Sequence, residues 1–400
     1  MTDIPRNPYR PGAATRPVYL AGRDPQVARF RKILDAAPEI PANLRLTGLR
    51  GVGKSVLLKR LEDVAKEKNW AVTRHQLEPR HNSTSDLLRL VENLGEAAKR
   101  RMSRIHAIKG AVGDAVEVGR SILQVKIEDA TFSLAGGTAS ERELVDSLGS
   151  VLDVALSCGY RGFALLLDEA QILKDDKNRD GEHPLSMLVA AVNALQEAGL
   201  PIALVLCGLP TLRANLQKAR TYSERMFKAE HIGALSGNPG PASDAFVMPL
   251  VNTGITARAD LVKRVLSEVE GYPFFIQLWG AELWSAATEA GITVFTTQLL
   301  DKIEDHIYER LDEEFYAGRI DTLTPSEQDM LLLTADCSYP PLHTSDIRAH
   351  SGKNSGNINV LMGRLTEQGV LYRIQKGQYE YTAPKFYEYL KRRKSGTNTL

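Results

Sequence analysis

One octapeptide, Gly48-Leu49-Arg50-Gly51-Val52-Gly53-Lys54-Ser55, constrains this chain more than any other stretch. It fits G-x-x-x-x-G-K-[ST], a pattern that has physical meaning only between a strand and a helix. Both flanks comply. Ala42 to Thr47 is the length of a strand, and Val56 to Ala65 repeats its apolar residues at helical spacing. Glycines let successive backbone N–H groups wrap a phosphate chain that a Cβ would keep away. Lys54 can then reach the β- and γ-phosphates, Ser55 offers Mg2+ a hydroxyl, and the helix N-terminus faces the negative charge. The nucleotide-binding set is therefore Gly48 through Ser55 together with Val56.

A second motif supplies the other half of that chemistry. Gly162 to Leu167 is an almost continuous apolar run, as expected of a strand covered on both faces, and it ends in Asp168-Glu169. Carboxylates at the C-terminal edge of a buried parallel strand lie where nucleotides bind. Asp168 is expected to hold Mg2+ with Ser55, and Glu169 to orient an attacking water. Ile202 to Gly208 reads as the next buried strand and points into the same cleft, but Cys207-Gly208 gives no clear γ-phosphate sensor.

With 400 residues, two or three domains are the better expectation. The 43% hydrophobic content, 25% charged content and formal net charge of +1 describe an ordinary globular chain. No apolar run reaches membrane-spanning length and no signal segment is readable, so a cytoplasmic location without a membrane partner is expected. Cys158, Cys207 and Cys337 are too far apart in sequence to suggest a disulfide framework or a zinc cluster.

The remaining pattern divides the chain. Residues 1–21, rich in proline, read as an extended strap, and 22–250 as an α/β ATPase core. An insertion near 110–140 interrupts the core, with 122–127 and 130–134 suggesting a β-hairpin. From 251 to 318 the β pattern stops and three amphipathic helices form a lid, whose core takes Tyr272, Phe274, Phe275, Trp279 and Trp284. Residues 319–395 follow a helix, helix, helix, hairpin order, that of a winged helix-turn-helix. Thr324-Pro325-Ser326-Glu327 opens that unit with a capping box. From His343 onward ten Lys/Arg face four acidic residues, so the C-terminus is locally basic. Candidates for contact with duplex DNA are Lys353, Asn354, Ser355, Asn357, Asn359 and Arg364, with Lys376 at the wing tip. Lys391 to Lys394 reads either as a further phosphate clamp or as a solvated tail, and the basic run Lys99 to Arg104 as a solvated helix end or a phosphate-contacting surface.

Together the phosphate loop, Asp168-Glu169, the helical lid and the terminal winged helix resemble the AAA+ ATPases of the origin-recognition and replication-initiator clade. They also resemble related bacterial STAND-like and transposition-helper ATPases, and the form Leu165-Leu166-Leu167-Asp168-Glu169-Ala170-Gln171 resembles transposition-helper and secretion ATPases. The resemblance implies that Tyr19 to Asp24, with Gly22 and Arg23, lines an adenine pocket and favours ATP. It implies that Arg225 reaches a neighbouring subunit's γ-phosphate, and hence self-association on nucleotide binding. A second sensor arginine, frequent where the lid helix begins, has no counterpart in Phe274-Phe275-Ile276-Gln277, which points to slow turnover. Two readings stay open. In one, ATP sets the assembly of a DNA-binding protein; in the other, a regulatory or defence switch grips a protein partner through its winged helix. A metabolic kinase is disfavoured, because no separate substrate pocket follows the core.

Overall fold

The computed structural model describes residues 6–12, 14–109, 124, 126–128, 131, 138–176, 182–220, 222–236 and 240–397. The chain forms two compact units, Arg23–Gly48 with Lys54–Ile232, and Met1–Gly22 with Leu49–Gly53 and Gly233–Leu400.

The first unit is built on a five-stranded parallel sheet: β1 (Ala42–Thr47), β2 (Ala71–Gln76), β3 (Phe163–Asp168), β4 (Ile202–Gly208) and β5 (Lys228–His231). Their spatial order is β2-β3-β4-β1-β5. Every residue of β3 and β4 is buried, because helices cover both faces of the central strands. This is why these strands show no polar alternation. Helix Lys54–Glu67 follows β1 directly and buries Leu57, Leu58, Leu61 and Val64. The order places the ends of β3, β4 and β1 side by side, with Thr47 opposite Gly208 and Gln76 opposite Asp168.

The expected hairpin near 110–140 is corrected in part. Gln124, Lys126, Ile127, Glu128 and Thr131 are helical, and the other residues of that stretch up to 137 lie outside the described ones. Ile127 packs where Gly149 of helix Ala139–Ser157 lacks a side chain, and the Thr131 hydroxyl donates to the Ile127 carbonyl, one helical turn back. Ile127, a β-branched residue, takes a helical form where contact with the neighbouring helix outweighs its own strand preference.

The second unit carries the lid helices and the winged helix on one hydrophobic core. Helices Ala259–Val269, Pro273–Glu289 and Thr297–Leu311 form the lid, joined by a two-residue parallel ladder, Thr256–Ala257 with Val294–Phe295, that the sequence reading missed. Phe275, Trp279 and Trp284 are buried among them, with Tyr272 and Phe274 packed against that core. The last lid helix runs into a π-helical turn, Asp312–Ala317. There Tyr316 stacks on Tyr389 with centroids 4.6 Å apart, and its hydroxyl donates to the Pro384 carbonyl. The winged helix comprises helices Pro325–Leu333, Thr344–Ser351 and Ser355–Glu367, strands Leu371–Gln375 and Gln378–Tyr381, and helix Phe386–Thr397. A third strand, Leu342–His343, pairs antiparallel with Gln378 and Tyr379. The capping box is formed: Thr324 N–H donates to Glu327 Oε2 at 2.9 Å.

The N-terminal segment is tied to the lid. Tyr9 Oη donates to the Phe246 carbonyl, Asn7 Nδ2 to the Ala281 carbonyl at 3.2 Å, and Arg10 N–H to Gln277 Oε1 at 2.9 Å. The Tyr9 ring lies 2.3 Å from where a Cβ on Gly280 would stand, so only glycine admits it. No helix among the described residues is long and apolar enough to cross a membrane.

Candidate active site

In the first unit Lys54, Asp168 and Cys207 are buried, at helix start and strand ends that parallel pairing brings to one edge of the sheet. Ser55 and Val56 follow in the first helical turn, half-buried. The Gly48 N–H donates to the Gly208 carbonyl at 3.3 Å, which fixes the exit of β1 against that of β4. Cys207 is wholly buried beside the charges of Asp168, Lys54 and Glu169. Burial raises its pKa well above the ordinary thiol value, and the Asp168 charge raises it further. The Cys207 thiol is therefore held in its protonated form at neutral pH. This is the residue at the unassigned sensor position.

Glu169 stands in a left-handed conformation, φ 54°, directly after β3. Its N–H donates to Asp168 Oδ1 at 3.0 Å, which turns the two side chains apart. Its carboxylate is held by a residue the sequence reading did not single out: Gln171 Nε2 donates to Glu169 Oε2 at 2.5 Å. Gln171 is itself fixed, since Leu209 N–H donates to Gln171 Oε1 at 2.9 Å. That oxygen occupies the place of a Cβ on Gly208, only 2.4 Å away. Asn215 Nδ2 closes the group by donating to the carbonyls of Gln171 and Leu173. The sequence signal was thin: a glutamine three residues beyond a strand and a glycine at the end of another.

Arg23 is buried at the head of helix Asp24–Asp35, and burial lowers its guanidinium pKa. Arg225 sits on the short helix Ser223–Met226 with its side chain exposed and unpaired among the described residues. Its neighbour Glu224 is engaged by Arg213 at 2.9 Å.

Leu49 to Gly53 belong to the second unit. Gly51 and Gly53 take φ of 78° and 84°, a backbone open to glycine, and Val52 is buried. Arg50 N–H donates to the Thr382 carbonyl at 2.8 Å, and Phe274 N–H to the Gly51 carbonyl at 3.1 Å. Gly22 is also left-handed, φ 64°, against Pro241.

On the winged helix, Lys353, Asn354, Ser355, Asn357, Asn359 and Arg364 are all exposed, while Ile358, Leu361, Met362 and Leu365 turn inward. Asn354 Oδ1 caps the helix by accepting from Asn357 N–H, which leaves only its NH2 outward. Lys376 is exposed at the wing turn, and Thr344 N–H holds that turn by donating to the Gly377 carbonyl. The two other basic runs are largely engaged internally. Lys394 pairs with Asp336, Arg392 with Asp312, Arg393 donates to Tyr389 Oη and Lys391 lies over the Tyr387 ring. Arg101 donates to the Val72 carbonyl, and Lys99 pairs with Glu96.

Residues 19–205 match the AAA ATPase domain family, and residues 313–390 match a domain of unknown function, DUF8462. No curated protein sequence matches the chain. Among solved structures, the Walker-type ATPase PABY2304 of Pyrococcus abyssi is similar, with TM-score 0.56 and 16% identity over 96% of this chain and 98% of that one. The Aeropyrum pernix ORC2 protein, solved as ADPNP and ADP complexes, gives TM-score 0.52 and 12% identity over 96% and 97%. At these identities the likeness is one of fold. The architecture is an AAA+ P-loop core followed by a helical lid and a winged helix.

Proposed function

We propose that this chain is an ATP-binding and slowly ATP-hydrolysing switch that engages duplex DNA through its winged helix, with nucleotide setting its self-association. The observation that carries the nucleotide reading is the convergence, within the first unit, of buried Lys54, buried Asp168 and the restrained Glu169 at one edge of the sheet. The oxygen donors Ser55 and Asp168 fit Mg2+, which prefers hard oxygen ligands, whereas the Cys207 thiol stays protonated and outside any such set. When bound, Mg2+ would supply charge compensation to the phosphate oxygens. Lys54 neutralises the β- and γ-phosphates, and glycine-spaced N–H groups orient them. Glu169, aimed by Gln171, positions the attacking water. Gly22 and Arg23 border the adenine, and exposed Arg225 completes a neighbour's site on assembly.

The test uses two variants. Lys54→Ala should lose tight ATP binding. Glu169→Gln should keep ATP bound while turnover falls at least about a hundredfold, the scale of a lost water-positioning group. Hydrolysis by Glu169→Gln at the parent rate would remove Glu169 from the mechanism.

The DNA reading rests on an outward helix face of amides and cations. Arg and Lys give the salt-dependent phosphate contribution, and Asn pairs with adenine edges. A second reading has its own observation: Val360 and Ile374 are 54% and 49% exposed on the same helix and wing, apolar surface suited to a protein partner. Lys353→Ala with Arg364→Ala separates the two. Salt-dependent duplex binding that this double change removes supports DNA; a parent chain that binds little duplex and holds a stable protein partner supports the second reading.

A further inference from the structure

Within the second unit a cavity of about 350 Å3 is lined by Arg50, Phe315, Gly318, Arg319, Thr322 and Gln368 among others. Its size is at the small end of ligand sites, which span about 300–1,000 Å3. Its polar lining is strongly one-sided. Arg50 and Arg319 carry no ion pair among the described residues, and the Nε of each is buried without a hydrogen-bond partner. Thr322 and Gln368 are exposed at the rim and add a hydroxyl and an amide to the lining. The one carboxylate on the wall, Glu314, is already bonded by Arg310 Nε at 3.0 Å and Nη2 at 2.6 Å.

Two guanidinium groups sharing a pocket without a counter-ion are an unfavourable arrangement for an empty site. Burial pushes the Arg319 pKa down to about 10, and the Arg50 charge pushes the same way. What holds Arg319 is the Phe315 ring, with the guanidinium carbon 4.4 Å from its centroid. That stack fixes the plane of the fork and leaves its edge N–H groups available. A planar fork with further donors beside it is the arrangement that recognises phosphoryl oxygens.

We propose that this cavity is a second anion site, sharing Arg50 with the phosphate loop but using its side chain rather than the loop's backbone N–H groups, that takes a phosphate-bearing small molecule on Arg319 and Arg50 beside Thr322 and Gln368. Arg50 is also a residue of the phosphate loop, and its N–H donates to the Thr382 carbonyl of the winged helix. An anion on its guanidinium therefore bears on both elements and gives the cell a way to report a phosphorylated metabolite to the ATP switch.

The test titrates pyrophosphate against the full-length chain by calorimetry, in a Lys54→Ala background that silences the nucleotide loop. Binding should persist there. Arg319→Gln should weaken it at least tenfold, and Arg319→Lys, which keeps charge but not the fork, should fall between. Gly318→Leu is the control that does not touch a charge. A Cβ there meets nothing within 4 Å, so the chain folds while the added side chain narrows the cavity, and binding should again be lost. Without anion, Arg319→Gln should melt at or above the Lys54→Ala parent, because a like-charge contact is gone. If Lys54→Ala alone abolishes pyrophosphate binding, or if Arg319→Gln and Gly318→Leu bind as their parent does, the second site does not exist.

Discussion

Gln171 shows how one amide can fix the carboxylate proposed to position the attacking water. It joins Glu169 to the Leu209 backbone, and it fits only because residue 208 has no side chain. Gln171→Ala should leave ATP affinity near the parent value while turnover drops about tenfold, a change in kcat with little change in KM. Unchanged turnover, or a fall in turnover matched by the same fall in the fraction of molecules that bind ATP, would mean that Gln171 does not aim Glu169. A different residue predicts a pH dependence. Burial, aided by the charge of Glu388, raises the Glu380 carboxyl above the ordinary range, against the lowering effect of the Tyr381 N–H bond. A raised carboxyl adds stability below its unfolded pKa and loses it as pH rises through the folded value. Glu380→Gln should therefore melt higher than the parent at neutral pH, with the gap closing under acid. A gap that widened in acid would reverse the assignment. Of the site, Lys54 and Asp168 were legible because motif spacing and an apolar run locate them. Gln171 and Cys207 were not, because their roles depend on strands that meet only in the folded sheet.

At the scale of elements, β3 and β4 announced themselves as continuous apolar runs, since helices cover both of their faces. Ile127 misled for the complementary reason: a short apolar run has no decisive period of its own, and this residue packs helically against Gly149. Ladders of two residues, such as Thr256–Ala257 with Val294–Phe295, are too short to leave a pattern at all. The N-terminal strap depends on a glycine whose purpose the sequence hid. Gly280→Ala should push the Tyr9 ring off the lid helix, at about 1–3 kcal/mol as for other overpacked sites. Limited proteolysis should then cut near Tyr9 faster than in the parent. An unchanged cleavage pattern with an unchanged melting point would show that the ring has room to shift.

At the scale of the molecule, the chain combines an AAA+ P-loop core with a winged helix whose outward face carries amides and cations beside exposed Val360 and Ile374. The lid and the winged helix share a core through Tyr316, Tyr389 and Phe386, so a change at one is felt at the other. The account's central claim is that nucleotide controls an assembly that holds DNA. Sedimentation velocity tests it most directly, using the full-length chain with labelled duplex, with and without a non-hydrolysable ATP analogue. The account predicts that the analogue shifts the protein to a larger species and that the label moves with it, while Arg225→Ala binds nucleotide yet stays small. A chain that binds the analogue, remains monomeric and leaves the duplex unbound would contradict it.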